Sequence, residues 1–330
     1  MQAEAGLLYD YLLQQPAGRG TIMQAQMHPL LIDLQQRQDV YCMQSFRSDV
    51  LELRQAGIVC VEHWPQSCDW CALLPLKNRQ QMLGAVAEAW EHVAEGGWLA
   101  LVASNRGGAK SLHKQLAQLG EVSHISRAKC RLMVLRRSGE PEVLQQWRDA
   151  AAPQRPERHG LWTRPGLFSW DRIDTGSALL LQQLPDDLRG EGMDLCCGYG
   201  ALASSLLQDM KGIIQLHLLD ADRQALVMAE RNLAVWQDHV RLHWLDAARE
   251  PLPANLDWIV CNPPFHRGLQ RQTELGRKII AQACRSLRTG GRLWVVANRQ
   301  LPYEQVMREH CASCDVLVQQ QGFKVLYGVG

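Results

Sequence analysis

Three things are scarce in this chain of 330 residues, and each narrows what it can be. The first is net charge. Lys and Arg total 35 against 34 Asp and Glu, leaving a formal +1. That argues against a protein that coats nucleic acid by bulk electrostatics, but not against one that grips a folded RNA through local patches. The second is long apolar sequence. No run approaches the ~20 residues needed to span a bilayer. The opening Met1-Gln2-Ala3-Glu4-Ala5 has no basic stretch ahead of an apolar one, so no membrane association and no secretory signal is expected, and the expected location is cytoplasmic. The third is a disulfide framework. The 11 cysteines are scattered through strand-like and helix-like segments, which fits a reducing compartment. Cys68/Cys71 and Cys311/Cys314 have metal-like spacing, but no third or fourth ligand accompanies them, and no metal is expected.

What is present is ordinary globular composition, 46% hydrophobic and 21% charged, over a length that suits two domains. The chain also repeats itself. Ala283 to Arg299 reads as a helix end, the turn Gly290-Gly291 and a buried strand. Ala89 to Arg106 has the same grammar around Gly96-Gly97. Lys129 to Leu135 matches the closing strand Phe323 to Tyr327. Asp69-Trp70 falls opposite Asp257-Trp258, which sets Leu74-Pro75-Leu76-Lys77 against Asn262-Pro263-Pro264-Phe265. The first copy therefore lacks the Asn, one proline and the aromatic. Pro- and Gly-bearing stretches at Ser138–Pro141 and Ala151–Pro156 predict domains over 1–140 and 161–330, joined by a linker over 141–160.

The most telling stretch is Asn262-Pro263-Pro264-Phe265, which follows the apolar run Leu256 to Cys261. Two prolines fix φ and remove two backbone donors, so the loop is stiff and its carbonyls are free acceptors. Asn262 adds an acceptor oxygen and two donors, and Phe265 a face on which a base can stack. Such a strand end is a recurring way to hold a planar exocyclic amine for methylation. Asn262, Pro263 and Phe265 are the expected catalytic residues; Pro264, Phe265, His266 and Arg267 are the expected substrate contacts. Two segments are locally basic, Arg155 to Arg164 and His266 to Lys278, although a solvated face explains any single Arg equally well.

Upstream, short apolar runs alternate with helix-like ones, the signature of a parallel sheet flanked by helices. Candidate strands are Met193–Cys196, Gln215–Leu219, Val240–Trp244, Leu256–Cys261 and Arg292–Ala297. Candidate helices include Arg223–Trp236 and Gln272–Leu287. In such sheets ligands sit at the carboxyl ends of the strands. The turn Asp194-Leu195-Cys196-Cys197-Gly198-Tyr199-Gly200 lies at one such end, where glycines let the backbone approach a ligand. Asp220 ends the next strand, placed to accept from both hydroxyls of a ribose. Asp246 follows the third strand, placed to accept from an adenine amino group. A nicotinamide enzyme normally shows Gly-x-Gly-x-x-Gly. The leading Asp and the later Asn-Pro-Pro-Phe favour S-adenosylmethionine instead.

With these landmarks the chain resembles the class I S-adenosylmethionine-dependent methyltransferases. More narrowly it is similar to the bacterial ribosomal RNA guanine-N2 methyltransferases, the small-subunit (16S) group above all. The resemblance rests on Gly166-Leu167-Phe168-Ser169-Trp170-Asp171-Arg172-Ile173-Asp174-Thr175-Gly176-Ser177, on Asn262 to Gly268, and on Phe323-Lys324-Val325. It covers residues 160–330 well and the first 150 thinly. It implies an α/β protein of two tandem Rossmann-like methyltransferase domains with mostly parallel seven-stranded sheets flanked by helices, the N-terminal copy degenerate and serving RNA recognition or folding support. It implies a cofactor site of Phe168, Asp174, Gly176, Ser177, Asp194, Cys196, Gly198, Gly200, Asp220, Asp246 and Asn262. It further implies ribosomal RNA or the small ribosomal subunit as partner, and a monomer. Cys196 departs from the family, standing where its loop usually has a glycine.

The expected chemistry is direct transfer to the guanine N2 amine, whose lone pair is delocalised into the ring. The Asn262 oxygen and the Pro263 carbonyl would accept its two hydrogens and aim the lone pair at the methyl donor. A paired target base must first leave its stack. Competing explanations remain for some residues. Asp220 could cap a helix starting at Ala221 and Asp174 one starting near Ser177. His217 and His266 read as surface or packing histidines, while Trp162 and Trp170 are candidate stacking residues. Competing functions are the large-subunit (23S) enzyme of the same family, a protein glutamine or adenine-N6 DNA methyltransferase, and a non-catalytic RNA-binding or ribosome-assembly factor.

Overall fold

A computed structural model describes residues 2–65, 67–209, 212–264 and 270–330, with the backbone alone at 270–272. The chain divides into two compact units, Met1–Ala152 and Pro153–Gly330. In the first, strands β1 (Arg19–Met23), β2 (Asp39–Met43), β3 (Cys68–Leu73), β4 (Val93–Ser104), β5 (Ser123–Arg127) and β6 (Cys130–Arg136) form one sheet in the order β2-β1-β3-β4-β6-β5. Its helices are α1 (Gln2–Leu13), α2 (Pro29–Arg37), α3 (Arg47–Gln55), α4 (Arg79–His92), α5 (Ala109–Leu116) and α6 (Val143–Ala151).

The second unit carries β7 (Arg189–Leu195), β8 (Gly212–Asp220), β9 (Val240–Trp244), β10 (Leu256–Cys261), β11 (Leu287–Asn298), β12 (Ser313–Gln320) and β13 (Phe323–Val329). They form a seven-stranded sheet in the order β12-β13-β11-β10-β7-β8-β9. Of these, β13 alone runs opposite to the other six. Its helices are α7 (Thr175–Leu181), α8 (Ala201–Asp209), α9 (Arg223–Asn232), α10 (Gln270–Ser286) and α11 (Tyr303–His310). The central strand β10 is apolar apart from Asp257 because both its faces are covered. Trp258 and Val260 pack with Leu180, Leu206 and Leu226 on one side of the sheet. Ile259 and Cys261 pack with Ile280, Tyr303 and Met307 on the other. The helix expected to run from Arg223 to Trp236 stops at Asn232 and gives way to a 3-10 turn over Ala234–His239.

The two sheets share one winding order, and the duplication extends to single side chains. Trp70 of β3 lies on Gly20, where an added Cβ would come within 2.0 Å of the indole; Trp258 of β10 lies on Gly192, where the distance would be 2.1 Å. Asp69 accepts the Arg19 amide and Asp257 the Glu191 amide, both at 2.8 Å. Each strand carries its register shift immediately before the tryptophan.

Two expectations need correction. Among the described residues the N-terminal sheet has six strands, not seven. Where the second unit places β9, the first has a single parallel bridge, Cys42 to Cys60, because the short apolar run Ile58–Val61 runs straight into Glu62-His63-Trp64-Pro65. The stretch 141–160 is also not a linker throughout. Its helix α6 buries Leu144, Trp147 and Ala151, and Ala151 lies so close to α4 that a Cβ on Gly84 would come within 2.2 Å of it. That amphipathic face belongs to the first unit's core, so the division falls after Ala152.

Candidate active site

β7 and β10 are neighbours, with Leu195 paired to Cys261. The glycine-bearing turn after β7 and the proline-braced loop after β10 therefore leave the sheet side by side. In the turn, Cys196, Gly198 and Gly200 all have positive φ, at +64°, +55° and +81°. For a side chain such as that of Cys196 the left-handed region costs about 1–2 kcal/mol. The Cys196 and Cys197 amides both donate to the Leu219 carbonyl, at 2.8 and 3.1 Å, and hold the backbone there. The Cys196 thiol bonds Cys261, and that contact together with burial pushes it well above its ordinary range. Nothing lies within 4 Å of a Cβ built on Gly198, so the turn opens onto free space at that point.

Two carboxylates stand behind the turn, Asp194 buried and Asp220 half-buried. Asp220, at the end of β8, accepts the Gly198 amide on one oxygen and the Asp222 amide on the other, both at 2.8 Å; burial raises its pKa. It is not the cap of α9. That task falls to Asp222, whose side chain accepts the Gln224 amide. Asp194 is fully buried, and burial lifts its carboxyl to about 7. One of its oxygens accepts the Ala203 amide at 3.2 Å, and the other is buried with no partner among the described residues. A buried acceptor without a donor is rare in a folded protein, and a bound water or ligand group satisfies it. The open turn, the unpartnered Asp194 oxygen and the Asp220 carboxylate together fit a nucleoside cofactor bearing hydroxyl and amino donors.

Asn262 directly follows β10. Its side-chain Nδ2 donates to Ser177 Oγ at 2.8 Å and to Asp174 Oδ2 at 3.1 Å. Asp174 caps α7 as the sequence allowed, accepting the Ser177 amide at 2.8 Å. Gly176 lies in a tight spot between them: a Cβ there would be 3.0 Å from Asp174 Oδ2 and 3.1 Å from the Phe323 ring. Pro263 is buried and Pro264 exposed. Phe265, His266 and Arg267, expected at the substrate, lie outside the described residues.

The remaining expected residues are more dispersed. Phe168 is 57% exposed, with most of its ring in solvent. Asp246 is buried, its carboxylate engaged by its own turn through the Ala248 amide (2.9 Å) and Arg249 (3.5 Å). His217 is held by His243 and Glu191 at 2.8 and 2.7 Å in a polar network on the sheet. Trp162 is flanked by the guanidinium groups of Arg155 and Arg231, 5.8 and 4.9 Å from its ring.

One residue escaped the sequence reading. Asn232, the last of α9, accepts the Trp162 amide at 2.6 Å and donates to the carbonyls of Trp162 and Tyr199, each at 2.8 Å. Tyr199 in turn donates from its hydroxyl to the Ser169 carbonyl at 3.2 Å. Through these bonds the segment ahead of α7 is fastened to the glycine-bearing turn. An asparagine at a helix end carries no signal of such a task, because its partners come from distant sequence.

Among the described residues no group of three or more His, Cys, Asp or Glu is arranged to hold a metal, and no helix is long and apolar enough to cross a membrane. The sequence pattern of the Methyltransferase small domain family matches residues 158–327. The Ribosomal RNA small subunit methyltransferase C of Acinetobacter baumannii (strain ACICU) is 32% identical over 234 residues, 69% of each chain. That of Haemophilus influenzae (strain 86-028NP) is 29% identical over 252 residues, 76% of each chain. Among solved structures, the T. thermophilus 16S rRNA N2 G1207 methyltransferase (RsmC), in complex with AdoMet and guanosine, superposes with a TM-score of 0.79. It covers 98% of this chain and 91% of its own at 23% identity, a likeness of fold.

Proposed function

Since this chain belongs to the ribosomal RNA small subunit methyltransferase C family, we propose that it transfers a methyl group from S-adenosylmethionine to the exocyclic N2 amine of a guanine in 16S ribosomal RNA. The observation that carries this reading is Asn262. Its amide sits at the tip of β10 beside the glycine-bearing turn, with both Nδ2 hydrogens engaged inside the protein. The T. thermophilus protein of the same fold, solved with AdoMet and guanosine, supports the choice of cofactor and base.

The chain's residues divide the work in two. Asp220 would hold the ribose hydroxyls, the unpartnered Asp194 oxygen would take an amino donor, and the bare Cα of Gly198 leaves room beside them. When bound, the cofactor supplies an electrophilic methyl on a sulfonium. At the other side, Asn262 Oδ1 and the Pro263 carbonyl accept the two N2 hydrogens and draw the nitrogen toward a pyramidal shape. Its lone pair forms the new N–C bond while the C–S bond breaks toward sulfur. The amine becomes cationic in that step, so its proton then leaves to water without a strong general base. By sequence, the residues after Pro264 supply an aromatic face and basic side chains for the RNA. The first unit would serve RNA recognition or support folding, and the protein would act in the cytoplasm as a monomer.

Labelled methyl transfer to small-subunit particles, large-subunit particles and protein-free RNA tests the reading. Label confined to 16S RNA is expected. Label in 23S RNA only, or none despite folded protein, would reject it.

A further inference from the structure

The terminal amide of an asparagine is nearly symmetric in shape, so its oxygen and nitrogen can exchange places by a half-turn about one bond. Only one of the two orientations can accept a hydrogen from a substrate amine. Some feature of the protein must select it.

We propose that Asp174 and Ser177 are positioning residues for the reaction, and that their task is to fix which way the Asn262 amide faces. This rests on the methyl-transfer reading above and adds to it the origin of the geometry. An ionised carboxylate has acceptors and no donor, so Asp174 can face the amide nitrogen and cannot face its oxygen. The second Nδ2 hydrogen goes to Ser177 Oγ at 2.8 Å, which completes the nitrogen's bonding. Oδ1 is then the one atom of the amide not committed to the protein interior among the described residues.

The clamp is itself locked. Asp174 Oδ2 accepts from the Ser177 backbone amide at 2.8 Å as well as from Asn262 at 3.1 Å. Ser177 contributes both its amide and its hydroxyl, so three residues from two distant parts of the chain close a ring of hydrogen bonds. The surroundings are tight: a Cβ added to Gly176 would lie 3.0 Å from the carboxylate oxygen and 3.1 Å from the Phe323 ring. A positioning group of this kind gains its effect by removing wrong orientations before substrate arrives, and misplacement of a reacting partner costs on the order of a hundredfold in rate.

Asp174→Asn is the discriminating variant. Asparagine caps a helix as well as aspartate does, so α7 keeps its start. It also offers a donor, which removes the selection between the two orientations of Asn262. The expected result is a fall in kcat on the order of a hundredfold, with the calorimetric dissociation constant for S-adenosylmethionine changed by less than about twofold. Ser177→Ala should give a smaller loss of the same kind, and Ser177→Thr, which keeps the hydroxyl, should recover most of it. Undiminished kcat in Asp174→Asn would overturn the proposal. So would a loss of cofactor affinity that matches the loss of rate, since Asp174 would then be a cofactor ligand. Side-chain amide proton exchange of Asn262, followed by NMR, reads the clamp without turnover: slow exchange in the native protein and fast in Asp174→Asn is expected, and fast exchange in both rejects it. If the native protein methylates no RNA but its Asn262 protons exchange slowly, the functional reading fails while the clamp stands.

Discussion

The two units offer a controlled comparison of one backbone with and without the polar groups of the candidate site. The paired contacts Gly20–Trp70 and Gly192–Trp258 fix which residues correspond. After β1, Gln24 has φ +57°; after β7, its counterpart Cys196 has +64°. The next amide donates to the end of the neighbouring strand in both, Ala25 to the Met43 carbonyl and Cys197 to that of Leu219, each at 3.1 Å. There the likeness stops. Buried Ile22 stands where the second unit has Asp194, Gln44 where it has Asp220, and buried Leu74 where it has Asn262. The amide corresponding to that of Gly198 belongs to Gln26, and it donates to the hydroxyl of fully buried Tyr9 at 3.2 Å instead of to a carboxylate. The backbone turn thus survives on strand packing and its amide bond to the neighbouring strand. The polar atoms of the second unit have no counterpart in the first, where apolar and phenolic side chains fill their place.

Substitutions at the positions that differ between the copies should break the contrast in graded steps. Asn262→Leu, which imports the first unit's Leu74, should lower methyl transfer by about a hundredfold or more while leaving S-adenosylmethionine affinity nearly unchanged. Calorimetry beside a turnover assay checks it, and retained turnover removes Asn262 from the chemistry. Asp220→Ala should instead weaken cofactor binding, by roughly tenfold or more for lost hydrogen bonds to a charged group; an unchanged dissociation constant would leave Asp220 only its bonds to Gly198 and Asp222.

A pH effect comes next. Asp194 titrates near 7 in the folded chain against an ordinary 3.8. The folded state therefore keeps a proton that the unfolded chain releases. This group's contribution favours folding fully below 3.8 and is lost as pH rises through about 7. Asp194→Asn should flatten the decline of Tm over that range, and an unaltered profile would mean that burial does not perturb the carboxyl. The smallest effect should come from Gln24→Gly and Cys196→Gly, each relieving a left-handed side chain for a gain of up to about 1 kcal/mol. Thermal unfolding would show it, with the lesser gain at Cys196, whose thiol contact to Cys261 is lost.

Much of this was legible in the sequence because it depends on local signals. β9 and β10 run over the expected residues, Val240–Trp244 and Leu256–Cys261, since a buried strand is a short apolar run between turns. The alignment of Asp69-Trp70 with Asp257-Trp258 survives as matching bulges and matching glycines. The helix cap at Asp174 was also readable. What could not be read were partnerships. Asp174 and Asn262 are 88 positions apart, and nothing near either residue announces that one orients the other. Helix α6 looked like linker because its apolar face, Leu144, Trp147 and Ala151, has meaning only against α4. The missing seventh strand of the first unit is a failure of continuation after Val61, visible only once its neighbour is in place.

The central question is which nitrogen receives the methyl group. The direct measurement is nucleoside analysis of 16S RNA after incubation with the native protein and labelled S-adenosylmethionine. It should find the label as N2-methylguanosine, and find none with Asn262→Leu. Label on any other nucleoside, or equal N2-methylguanosine from both proteins, would contradict the proposed function.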